Sequence, residues 1–172
     1  MNRNDAPWGR DLQEYLDLLG FDAPIIEQQG SPLAVWGQGN PHAELVFVLE
    51  ALEGIEQEQA AHLLLKMIQA MGYSLESAYI LYFAASTEEV FQHLKTQVPN
   101  SKVIVALGDQ AACLVFGSNE TLSELRSKKL NRSFGRTEAA LFATHHPGEL
   151  LTRAEQKKEA WEDLKAVIAH LS

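Results

Sequence analysis

Three side chains offer chemistry by their type and their place. Adjacent imidazoles, His145 and His146, end an apolar run, Ala139-Ala140-Leu141-Phe142-Ala143, and Pro147 follows them. Glu50 closes a second apolar run, Leu45-Val46-Phe47-Val48-Leu49. Such strand ends are where open α/β sheets place their ligands. A metal would need a third ligand from a nearby acid, and consecutive histidines in an extended strand point to opposite faces. No metal is expected. The architectural reading of the same residues is that Pro147 ends a strand for want of an N–H, with the histidines as polar residues at its edge.

The elements that position these groups follow from hydrophobic pattern. Leu45–Leu49, Ala78–Phe83 and Val103–Leu107 are continuous apolar runs, as is the run before His145. Runs of this kind suit strands covered on both faces. Between them, Ala60, Leu63, Leu64, Met67, Ile68 and Met71 form a helical stripe over about residues 56–71. Further helices are expected from Thr87 through Val98, from a cap at Asp109 to Phe116, and from about Arg153 to Leu171. The alternation predicts a three-layer α/β/α fold around a mostly parallel sheet of four strands. Leu33 to Trp36 could add a short edge strand, with 37–41 as a loop. Leu130 to Phe134 could form a hairpin with Glu138 to Ala143 or cross it irregularly. Ahead of this domain, 31–172, lies an extension, 1–30. In it Leu12, Tyr15, Leu16 and Leu19 recur at helical spacing before Gly20. So short a helix is marginal alone and must dock on its own domain or on a partner.

The chain has 172 residues and a net charge of −9. That length suits one domain with a substantial core. An acidic body opposes phosphate binding. The one basic cluster, Arg126, Lys128, Lys129, Arg132 and Arg136, reads as a solvated hairpin surface. Little or no direct nucleic-acid binding is therefore expected, and the balance leans toward a protein partner. A single cysteine, Cys113, excludes an intrachain disulfide framework and a cysteine-held iron–sulfur cluster within one chain. No cofactor is implied. No membrane-spanning run and no secretory core are evident, so a cytoplasmic location is expected.

Several motifs occur together in a consistent order. Thr144-His145-His146-Pro147-Gly148-Glu149-Leu150-Leu151 is followed by Lys157 and by Trp161-Glu162-Asp163-Leu164. Upstream stand Val103 to Gly108 with Asp109-Gln110-Ala111-Ala112, and Leu45 to Ala51. This pattern, over roughly residues 43–170, resembles the uracil-DNA glycosylase superfamily, particularly its family 4. The resemblance implies that fold. It implies catalytic roles only for Glu50 and His146, because the family's other equipment is altered. Its Gly-Glu-Ala-Pro-Gly loop is matched here by Leu49, Glu50, Ala51, Leu52 and Glu53. Its base-stacking Phe has no counterpart, Tyr82 stands at its base-reading Asn, and Gly148 replaces its Ser. The four cysteines of family 4 are missing.

Within the superfamily, the chain is most similar to the psi subunits of bacterial DNA polymerase III clamp-loader complexes, which look like glycosylase folds without glycosylase residues. The similarity rests on Arg10 to Phe21 and on Leu45 to Leu64. It implies an adaptor in DNA replication, with the folded domain on the chi subunit and the N-terminal segment on the clamp-loader collar. Trp8, Leu12, Tyr15, Leu16, Leu19 and Phe21 would be the contacts, as an amphipathic helix laid in a groove. The alternative is a diverged uracil-DNA glycosylase of base-excision repair that uses Glu50 and His146 on a flipped base.

Overall fold

Alternate residues of the second strand serve two different cores. A computed structural model describes residues 35–84, 87–96, 100–128, 130–135 and 137–172. The contact residues Trp8, Leu12, Tyr15, Leu16, Leu19 and Phe21 lie outside the described residues, as does the boundary at residue 30. The described chain runs β1 (Val35–Gly39), β2 (Leu45–Glu50), α1 (Gly54–Ala70), β3 (Ala78–Phe83), α2 (Thr87–Thr96), β4 (Val103–Leu107) and α3 (Asp109–Phe116). It continues through α4 (Leu122–Arg126), β5 (Leu130–Phe134), β6 (Thr137–Thr144), α5 (Pro147–Thr152), a 3-10 turn (Ala154–Gln156) and α6 (Lys157–Leu171).

The protein is α/β, with one mixed sheet of six strands in the order β1-β3-β2-β4-β6-β5. The four central strands are parallel, and β1 and β5 pair antiparallel at the two edges. The expectation of four strands is therefore corrected to six. The four central runs show as unbroken apolar stretches because both their faces are buried. Edge strands carry no such mark: β5 reads LNRSF, with mostly exposed side chains, and β1 reads VWGQG. Gly37 and Gly39 belong to β1 rather than to a loop. A Cβ on Gly37 would fall 1.6 Å from the Tyr79 hydroxyl oxygen, so this strand needs a glycine where Tyr79 crosses it.

Helices cover both faces. Leu45, Phe47 and Leu49 pack with Leu64, Ile68, Leu164 and Val167 beneath α1 and α6. Val46 and Val48 share the opposite core with Val90, Leu94, Val115 and Leu125 of α2, α3 and α4. Complete burial of β2's apolar side chains fixes the register, since a one-residue slip would exchange the two faces. The final helix expected over about 153–171 begins instead as the 3-10 turn Ala154–Gln156 before α6, and Arg153, at φ −124° and ψ 73°, separates that turn from α5. Gly108, at φ 98°, takes the N-cap of α3 in place of the expected Asp109. Among the described residues, no helix is long and apolar enough to cross a membrane.

Candidate functional site

The sheet grows outward from β2 in both directions, with β3 on one side and β4 on the other. A crevice of about 450 Å³ opens at the carboxyl ends of these strands, where such a switch point leaves room for a ligand. Glu50 reaches it from β2, Gly108 and Asp109 from the end of β4, and His146 from the end of β6. The two sequence-predicted catalytic types are thus brought to one crevice.

The chemistry available to them is narrower than their meeting suggests. His146 Nε2 lies 2.8 Å from the Glu50 backbone carbonyl, and Nδ1 accepts the Gly148 N–H at 2.9 Å. A carbonyl can only accept and an N–H can only donate, so the ring is the neutral Nε2–H tautomer. Its Nδ1 serves as the N-cap of α5, and its Nε2–H ties the end of β6 to the end of β2. Both nitrogens are engaged by backbone. Gly108 tightens the same corner: its N–H donates to the Thr144 carbonyl, and a Cβ there would stand 3.0 Å from His146 Cβ.

The crevice walls carry the carboxylates of Glu50, Glu56, Asp109 and Glu149, with no lysine, arginine, phenylalanine, tyrosine or tryptophan among the described lining residues. Leu52 takes up space beside Gly148, where a Cβ would come within 2.7 Å of its Cδ1. A serine at 148 could be seated only if that flexible methyl moved. Tyr82 is not in the crevice. It is buried beneath α1, stacked on Trp36 with ring centroids 5.7 Å apart, and burial pushes its phenol above the ordinary range. A hydrogen bond to Gln57 opposes that shift, while Gln57 Oε1 also holds the Leu52 N–H at 2.7 Å. Leu49 is buried in the same core.

His145 turns away from its neighbour. Its Nε2–H donates to Glu159 Oε1 at 2.8 Å, and its Nδ1 stands 3.8 Å from Glu149. Glu159 in turn faces Arg126 at 3.6 Å. Arg126 grips Asp163 through Nε at 2.7 Å and Nη2 at 3.2 Å, and Asp163 accepts the hydroxyl of buried Thr144. The hydrogen bond from Asp163 raises the Arg126 guanidinium pKa, and that from His145 lowers the Glu159 carboxyl below its usual range. The histidines are buried joints between β6 and the helices rather than strand-edge residues. Among the described residues no three ligands gather for a metal.

Thr144, Arg126, Glu159 and Asp163 were not singled out as a unit in the sequence. Asp163 lies in the Trp161–Leu164 motif, but its partner sits 37 residues upstream, and no local spacing signals that pairing. The basic cluster also disperses. Arg126 is held as above, and Lys128 pairs with Glu120. Arg132 lies over Phe91 and Phe134 and donates to the Val115 carbonyl at 2.7 Å. Lys129 and Arg136 lie outside the described residues. No protein-family model matches the chain, and no curated protein sequence matches it.

Proposed function

We propose that this chain is a non-catalytic, protein-binding adaptor with a uracil-DNA glycosylase-like fold. Its closest functional type would be the psi subunit of the DNA polymerase III clamp-loader complex. The observation that carries the non-catalytic part is the imidazole of His146, whose two nitrogens are both spent on backbone. A glycosylase histidine must present a donor to the base as negative charge develops. The acid-lined crevice supports the same reading, because it opposes the phosphates that accompany any flipped base. The adaptor role itself rests on the resemblance of Arg10–Phe21 and Leu45–Leu64 to psi subunits.

The diverged glycosylase remains the second reading on one observation: Glu50 and His146 line the same crevice at the sheet's switch point. One pair of measurements decides between them. The protein and the chi subunit of the same organism are mixed and passed over a sizing column, and uracil excision from single-stranded DNA is assayed in parallel. The adaptor predicts co-elution and no excision. Excision that disappears in His146→Ala, without co-elution, would establish the enzyme instead.

A further inference from the structure

A second concavity lies between α1, α5 and α6. Leu63 and Met67 of α1, Leu150 of α5, and Ala160, Trp161 and Leu164 of α6 line an open, mostly apolar pocket of about 180 Å³. Trp161 keeps 37% of its surface exposed there, a large apolar side chain that nothing in the described structure covers. The pocket's charged lining residues are both lysines, Lys66 and Lys157, on a chain whose net charge is −9.

We infer that this groove is the docking site in cis for the chain's own N-terminal segment, residues 8–22. The segment offers what the groove takes. Leu12, Tyr15, Leu16 and Leu19 share one face at helical spacing, and Trp8 falls on the same side. A pocket of this size admits one or two such side chains as anchors. The segment carries Arg10 against Asp11, Glu14, Asp17 and Asp22, a charge opposite to that of exposed Lys157 at the groove's edge. Reach is sufficient. Residues 20–34 can span up to about 50 Å when extended. The path from β1 across the sheet to β6 is four strand spacings, roughly 20 Å, plus one helix layer of about 10 Å. The tether raises the effective concentration into the millimolar range, so a modest intrinsic affinity is enough. Any partner that takes the same apolar face must first displace it. The inference goes beyond the proposed adaptor role and holds whatever that partner is.

The test uses the full chain alone. A zero-length carbodiimide joins carboxylates to amines in contact, and hydrogen exchange reads the amides of residues 9–19. Docking in cis predicts cross-links from Asp11, Glu14 or Asp17 to exposed Lys157, unchanged on dilution. It also predicts protection of 9–19 that falls roughly tenfold in Trp161→Ala, from the apolar contact removed. Lys157→Glu, at an exposed position, weakens the same protection without touching the core. Free-chain exchange rates at 9–19 in the unaltered protein would overturn the inference. So would protection that survives both substitutions, since the segment then docks elsewhere. Cross-links that join isotopically distinct molecules would overturn it in favour of a second copy.

Discussion

At the scale of single residues, His146 is a structural joint whose removal is read as stability. His146→Ala leaves the Glu50 carbonyl and the Gly148 N–H without their partner, at about 1–3 kcal/mol for each group left buried. A urea titration checks this, and a midpoint unchanged from the parent would show that the two bonds add nothing to stability. Gly108→Ala is expected to cost about 1–3 kcal/mol on the same titration. Its φ of 98° excludes ordinary side chains, and the new Cβ presses on His146. Tyr79 gives a residue-level pH effect. Burial pushes its phenol up to about 12, which means that the fold favours the neutral form. Stability from this group is present below pH 10, its ordinary value, and is lost as pH rises from there through about 12. In Tyr79→Phe the alkaline loss of stability is shallower over that interval, as followed by circular dichroism.

At the scale of elements, the Thr144–Asp163–Arg126–Glu159–His145 chain fastens the end of β6 to α4 and α6. Its contacts join residues far apart in sequence, so the members act as a unit. A double-mutant cycle with Arg126→Met and Asp163→Asn is expected to return a coupling of about 0.5–3 kcal/mol. A value near zero would show that α4 and α6 are held by apolar packing alone. The same chain predicts an acid response. The Glu159 carboxyl is depressed below 4.5, first by its hydrogen bond from His145 and next by the Arg126 charge. A depressed carboxylate contributes above its unfolded pKa, and that contribution disappears as pH falls through the lowered value. Glu159→Gln should therefore flatten the acid limb of the stability curve below about pH 4.5, leaving the limb above it parallel to the parent.

At the scale of the whole molecule, the acid-walled crevice and the net charge of −9 point to weak attraction for nucleic acid. Fluorescence anisotropy with single-stranded DNA is expected to show no binding at physiological salt. A steep loss of affinity with added salt would instead reveal several phosphate contacts. Much of the fold was legible in the sequence, because the four central strands must bury both faces and so appear as continuous apolar runs. Helix α1 was legible through its stripe at helical spacing. The edge strands were legible only in outline, as a short strand ending at Trp36 and a possible hairpin from Leu130: each is anchored by one neighbour, and β1 runs on through Gly37, whose missing Cβ makes room for Tyr79. The sequence by itself determined which residue types stand at the strand ends, placing Glu50 and His146 there, since chain order and strand period fix that much. Only the tertiary structure decided what those residues do. Whether an imidazole is free or consumed depends on a carbonyl 96 residues away, and that distance in sequence is closed by sheet packing alone.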